Sequence, residues 1–200
     1  MIPSMTKPTL IIFAGANGSG KTTAAEYLLP KLKIKEFVNA DEIARGLSPL
    51  NPTGQALSAG KLVLKRTKEL MQKHISFAVE TTLSGNHLKK IITEAKKQGY
   101  VVEMHYIFCA DINMNLRRIK YRVQQGGHHV PADDVRRRYW RSLRNFAIFN
   151  GMCDKMVLYD TTKGELEEFA KREKNDDFTI YNLDLAVRFS DRMQEAQSDH

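Results

Sequence analysis

Thr9–Thr23 reads TLIIFAGANGSGKTT, and the fold turns on this stretch. Thr9–Ala14 is a short apolar run, as expected of a parallel strand buried on both faces. Gly15-Ala16-Asn17-Gly18-Ser19-Gly20-Lys21-Thr22 follows and meets the pattern G-x-x-x-x-G-K-[ST] in full. Glycines let backbone N–H groups turn inward around a phosphate where β-carbons would clash. A helix opening near Lys21 adds a dipole that favours anions. Lys21 brings a cation to the β/γ oxygens, and the Thr22 hydroxyl suits Mg²⁺. Gly15, Ala16, Asn17, Gly18, Ser19, Gly20, Lys21, Thr22 and Thr23 are therefore expected to bind ATP with Mg²⁺. A dinucleotide-binding loop would need G-x-G-x-x-G, whereas the glycines here fall at 15, 18 and 20 and lead into Lys-Thr.

Further along the chain, apolar runs alternate with amphipathic ones. Strands are predicted at Lys35–Val38, Ile75–Val79, Val101–Cys109 and Lys155–Tyr159. Helices are predicted at Thr22–Leu32, from about Gly54 to Lys73, at Asn86–Gln98, from after Asp111 to about Val123, and at Asp133–Phe149. Thr161–Glu173 reads as a last short helix. Strands alternating with helices call for a parallel sheet covered on both faces. The fold class expected is α/β: a three-layer P-loop NTPase fold with a mainly parallel five-stranded sheet. One domain is expected over residues 1–175, with a basic lid at about 112–145. Residues 176–200 read as a partly ordered tail whose one apolar stretch, Phe178–Phe189, suits either a strand or a helix.

Composition narrows the class. With 42% apolar residues the chain can build a core, and no apolar run is long enough to span a bilayer. A cytoplasmic protein without a membrane partner is expected. Cys109 and Cys153 form no CxxC pair and read as buried thiols. The net charge of +8 is concentrated. Arg117, Arg118, Lys120, Arg122, Arg136, Arg137, Arg138, Arg141 and Arg144 face only Asp133 and Asp134 in the same segment. Arginine forks suit phosphate oxygens, a polynucleotide backbone or plain solvation.

The loop alone does not say what becomes of the triphosphate. There is no N-K-x-D sequence for guanine. Leu83-Ser84-Gly85 copies only the first letters of the LSGGQ signature and follows Glu80 instead of preceding an acidic strand end. A small kinase remains, with an acceptor beside the γ-phosphate and a basic lid over both.

Four pieces in order then resemble the zeta-toxin family of P-loop kinases, in particular its short members. They are Gly15–Thr23 (GANGSGKTT), Phe37–Ala44 (FVNADEIA), Ala78–Gly85 (AVETTLSG) and Arg122–Asn145 (RVQQGGHHVPADDVRRRYWRSLRN). The first is generic to P-loops, and the other three together are specific. The resemblance implies phosphorylation of UDP-N-acetylglucosamine on a sugar hydroxyl and, for some members, restraint by a small antitoxin. It also places Arg122 and one of Arg136–Arg138 near the catalytic arginines. Where better-known members carry a second lid arginine, this chain has Gly126-Gly127-His128.

Ligands in such sheets sit beyond the carboxyl ends of the strands. Asp41 lies there and matches the family's catalytic aspartate in N-A-D-E. It is the expected general base, with an N-cap of the helix Glu42–Arg45 as its alternative. Glu80 is expected on the Mg²⁺ site with Thr22, or on the acceptor. Thr81, Thr82, Ser84 and His128 are candidate acceptor contacts, although the hydroxyls equally suit a helix cap. Lys21, Arg122 and Arg138 complete the expected catalytic set, and Arg118 is expected on the nucleotide. Asp111 and Asp160 read as helix caps. Tyr139, Trp140, Phe146 and Phe149 read as a core stripe. A phosphotransferase acting on a small hydroxyl-bearing molecule is the expectation. A P-loop ATPase associated with nucleic acid, or acting as a regulator, is the alternative.

Overall fold

A computed structural model describes residues 7–85, 87–127, 129–174 and 176–198. In chain order the elements are β1 (Thr9–Ala14), α1 (Lys21–Leu28), β2 (Glu36–Val38), α2 (Ala40–Leu47), a 3₁₀ turn (Thr53–Gln55) and α3 (Ala56–Gln72). They continue with β3 (Phe77–Thr81), α4 (His87–Lys97), β4 (Val101–Phe108), α5 (Ile112–Gln124) and α6 (Ala132–Asn150). The chain then forms β5 (Lys155–Asp160), β6 (Glu167–Arg172), β7 (Thr179–Ile180) and α7 (Leu183–Ser198). The α/β class and the P-loop topology are as expected. The sheet, however, has seven strands, not five, in the order β2-β3-β1-β4-β5-β6-β7.

The five strands from β2 to β5 run parallel. β6 and β7 join antiparallel and extend the edge. The expected short helix over Thr161–Glu173 is instead a turn followed by β6. The Asp160 carboxylate accepts from Thr162 N and Thr162 Oγ1, both at 2.8 Å, so it pins a turn and caps no helix. Glu167–Arg172 (EEFAKR) has helix-forming composition. Burial of Phe169 and Ala170 against the sheet overrides that preference.

One face of the sheet carries most of the core. Leu10, Ile12, Met104 and Tyr106 meet Leu70, Ile92, Phe146 and Phe189 from the helices. Phe189 of α7 stands between Phe108, Phe146 and Phe169, with ring centroids at 5.1, 5.0 and 5.9 Å. The first two are edge-on, and each such contact adds about 0.5–1.5 kcal/mol beyond area burial. The opposite face packs on α1 through Ile11, Phe13, Ala25 and Ile107. Beneath that layer lies a polar group centred on the buried His105. His105 Nε2 meets Glu103 Oε1 at 2.8 Å, and its Nδ1 meets the Tyr159 hydroxyl at 3.3 Å. The His105 ring stacks between Phe13 and Tyr159.

β1 lies between β3 and β4: the chain runs from it to β2 on one side and later, after β3, crosses through α4 to β4 on the other. That is the switch point where α/β sheets open a crevice at their carboxyl ends. Both cysteines are free and buried. Among the described residues, no helix is long and apolar enough to cross a membrane.

Candidate active site

The phosphate loop fills that crevice, and its glycines are required by contact as well as by conformation. Gly15 has φ 143°, and a β-carbon there would lie 2.2 Å from Ile107 O. Gly18 has φ 77°, and a β-carbon would meet Asn115 O at 2.5 Å. The loop is thus pressed against β4 and the first turns of α5. Asn115 Nδ2 donates to Asn17 O at 3.0 Å, and Thr161 Oγ1 donates to Ser19 O at 2.8 Å. The loop is braced from two sides by residues far away in sequence.

Lys21 opens α1 and is only 6% exposed. Its Nζ donates to Ala16 O at 2.8 Å and stands 3.8 Å from Glu80 Oε1. Burial holds the ammonium below the usual lysine range, and Arg122 and Arg138 push the same way. The Glu80 and Asp41 charges oppose that shift without overcoming it. A buried, underbalanced cation at a helix N-terminus attracts anions strongly.

Glu80, the last residue but one of β3, gathers donors. Thr22 Oγ1 donates to its Oε2 at 2.8 Å, and Asn39 Nδ2 donates to the same oxygen at 2.9 Å. A carboxylate beside a hydroxyl is a hard-oxygen pair suited to Mg²⁺, which is held by one or two carboxylates plus phosphate oxygens. No cluster of three or more His, Cys, Asp or Glu suited to a metal occurs among the described residues.

Asp41 is exposed in the first turn of α2 and does not cap it. The cap is Asn39, whose Oδ1 accepts from Asp41 N at 2.8 Å and Glu42 N at 3.3 Å. The Asp41 carboxylate has no role in the cap and lines the crevice.

Three clefts meet at the loop. The first, of about 280 Å³, is walled by Gly18, Gly20–Thr23, Asp41, Glu80, Arg118 and Arg122, among others. The second, of about 190 Å³, is walled by Asn39, Thr81, Thr82 and Arg138 and shares Asn17, Asp41 and Glu80 with the first. A third, of about 500 Å³, lies on the far side of Arg118 between Tyr27, Thr161 and Leu166. Asp41 and Glu80 therefore stand on the wall common to the first two.

The arginines divide. Arg118 donates to Thr161 Oγ1 at 3.2 Å, to Thr161 O and to Gly18 O. It braces the loop as well as lining two clefts. Arg138 reaches Asn17 Oδ1 at 3.5 Å and Asp134 at 3.7 Å. Arg137 pairs with Asp134, and Arg117 with Asp111. Asp111 caps α5 through Asn113 N, as expected. That bond first, and the Arg117 charge after it, hold its carboxyl below the usual range against a smaller effect of burial.

The loop after β3 is shaped by its own hydroxyls. Leu83 N donates to Thr81 Oγ1 at 3.0 Å, and Thr82 Oγ1 and Ser84 Oγ share a bond of 2.7 Å. Leu83 is fully buried with φ 57°, a conformation that disfavours side chains larger than glycine. Asn145 of α6 holds it there by donating to Leu83 O at 2.7 Å. α6 is fixed twice more, by Tyr139 OH to Cys109 O at 3.0 Å and by Ser142 Oγ to Tyr106 OH at 2.9 Å. In its first two turns Arg136 and Arg137 are exposed, whereas Val135 is buried against Ile119 and Val130. Tyr139, Phe146 and Phe149 are core, as their spacing predicted. His128 lies outside the described residues.

Gly15–Thr23, Asp41, Glu80, Thr81, Thr82, Arg118, Arg122 and Arg138 are thus brought together. Asn39, Asn115, Asn145 and Thr161 were not foreseen. Only Asn39 left a signal in the sequence: an asparagine just before a helix, with acids at the second and third positions.

The AAA domain family matches residues 10–146. A Haemophilus influenzae protein described only as uncharacterized is 36% identical over 129 residues, covering 64% of this chain and 91% of that one. A structure from the PezAT chromosomal toxin–antitoxin system of Streptococcus pneumoniae superposes with a TM-score of 0.65 at 14% identity. It covers 98% of this chain and 90% of its own. A structure of AvrRxo1-ORF1 with ORF2 and ATP superposes with a TM-score of 0.72 at 19% identity, over 93% of this chain and 64% of that one. At these identities the two structures establish a shared fold.

Proposed function

We propose that this chain, which belongs to the AAA domain family, is an ATP-dependent kinase that transfers the γ-phosphoryl group to a hydroxyl of a small molecule. One observation carries the reading. Asp41 and Glu80 stand on the wall between a cleft floored by the phosphate loop and a second cleft lined by Thr81, Thr82 and Arg138. A nucleotidase needs only the first cleft; a transferase needs both, with a base at their boundary.

Residues 15–23 would cradle the phosphates with backbone N–H groups, and Lys21 would turn from Ala16 O to the β/γ oxygens. Thr22 and Glu80 would hold Mg²⁺, which in such sites neutralises charge on the phosphate oxygens. The third cleft, with Arg118 on its wall, is the space left for the base and sugar. Asp41 would accept the proton of the attacking hydroxyl. Arg122 and Arg138 would spread positive charge over the transferring group, a contribution worth about 10³–10⁵ in rate when well placed. Residues 112–145 would act as the lid.

UDP-N-acetylglucosamine is the first acceptor to test, and an antitoxin partner extends the likeness to PezAT. The test is to incubate the protein with Mg²⁺ and γ-labelled ATP against nucleotide sugars, nucleosides and N-acetylated amino acids. A labelled acceptor is expected. Free phosphate alone from every mixture, or no affinity for ATP by calorimetry, would refute the proposal.

A further inference from the structure

Asn39 has two sides, and each touches a different half of the reaction centre. Its Oδ1 accepts from Asp41 N at 2.8 Å and from Glu42 N at 3.3 Å. Its Nδ2 donates to Glu80 Oε2 at 2.9 Å, the oxygen that also accepts from Thr22 Oγ1. The side chain is 7% exposed. Strand register makes the juxtaposition: β2 pairs with β3 through Val38 and Val79 and ends there, so Asn39 follows beside Glu80, which continues in β3 opposite Phe13 of β1. A helix cap alone would accept serine, threonine or aspartate equally well. An amide carries its acceptor and its donor on separate atoms, so it meets the backbone N–H groups and the carboxylate at once, which the single, shorter hydroxyl oxygen of serine or threonine cannot span.

We infer, resting on the kinase reading above, that Asn39 is a positioning residue for both carboxylates. Its amide N–H holds Glu80 in the orientation that a cation between Thr22 and the phosphates requires. Its carbonyl oxygen fixes the turn that carries Asp41 to the boundary of the two clefts. A residue in this place acts as the outer partners of metal ligands do, and loss of such a partner costs about 10- to 100-fold in metal affinity.

Two variants separate the two sides. Asn39→Ser keeps a capping oxygen and loses the arm that reaches Glu80. Asn39→Ala loses both. ATP affinity is measured by calorimetry in EDTA and across a Mg²⁺ series. In Asn39→Ser the half-saturating Mg²⁺ concentration should rise at least about tenfold, with affinity in EDTA and the unfolding midpoint close to wild type. With UDP-N-acetylglucosamine as acceptor, saturating Mg²⁺ should restore turnover in Asn39→Ser but not in Asn39→Ala.

An unchanged Mg²⁺ requirement in Asn39→Ser overturns the inference while leaving the kinase reading intact. So does an equal loss of affinity in EDTA, since the residue would then be merely structural. A wild-type protein indifferent to Mg²⁺ would remove the Thr22–Glu80 cation assignment, and this inference with it. A wild type that leaves UDP-N-acetylglucosamine unlabelled refutes that acceptor alone, and the calorimetric arms still decide.

Discussion

The molecule holds two polar clusters built from similar parts. At the crevice, Lys21, Thr22, Asn39 and Glu80 combine a cation, a hydroxyl, an amide and a carboxylate. Under α1, Glu103, His105 and Tyr159 combine a carboxylate, an imidazole and a phenol. Both contain titratable groups displaced from their usual ranges. Burial would raise Glu103, but the His105 bond, with the His105 and Lys155 charges, outweighs it and holds the carboxyl low. The clusters differ in setting and in the sign of the electrostatic balance. The first lines two clefts and leaves its cation unfavourably charged. The second lines none of the three clefts at the loop, has its imidazole stacked between Phe13 and Tyr159, and favours the charge it carries. A displaced pKa therefore does not mark a site by itself; an accessible group with something left to gain from a ligand does.

That contrast can be broken by experiment. Lys21→Met should cause the largest functional loss, abolishing detectable transfer and weakening ATP binding. It should nonetheless raise the unfolding midpoint, because it removes a charge that burial penalises. The penalty is fully present at neutral pH and fades as pH rises through the lowered lysine pKa, so the gap from wild type should narrow toward about pH 10. A midpoint that falls at neutral pH would overturn the sign. Asp41→Asn should lower turnover by about 10²–10⁴ with ATP affinity kept, the scale of a lost general base. Calorimetry beside single-turnover kinetics would check it, and unchanged turnover removes Asp41 from the mechanism.

Asn145→Asp keeps the shape and removes the donor to Leu83 O. It should raise the KM for the acceptor by about tenfold, near the cost of one buried hydrogen bond, and leave the KM for ATP unchanged. Parallel changes in both constants would reduce Asn145 to a packing residue. Glu103→Gln should leave transfer untouched and lower the midpoint at neutral pH by roughly 3–6 °C, for about 1–2 kcal/mol. A depressed carboxyl stabilises above its unfolded pKa and loses that benefit as pH falls through the folded one. The difference from wild type should therefore close below about pH 4. A change in kcat would mean that the His105 cluster communicates with the crevice.

The phosphate loop was legible because its chemistry is local: each glycine, the lysine and the threonine act within one turn of the chain. The order of parallel strands was legible because apolar runs and amphipathic runs alternate. β6 was misread because Glu167–Arg172 carries helix-forming residues, and only burial of Phe169 against a neighbouring strand decides otherwise. The bracing side chains escaped for the same reason at the level of single bonds. Asn115 and Asn17 are 98 positions apart, and Thr161 and Ser19 are 142 apart. Asp41 and Glu80 were placed by the rule that ligands gather at strand ends, whereas the partner that joins them depends on the register between β2 and β3.

α6 is anchored unevenly along its length. Three polar bonds and a row of aromatic rings lock everything from Tyr139 onward, whereas before it only Val135 is buried, in a small apolar cluster with Ile119 and Val130. Arg136 and Arg137 are exposed there, and Arg138 walls the second cleft. Changes at these three arginines would therefore recast the rim and wall of that cleft while leaving both anchors of the helix in place.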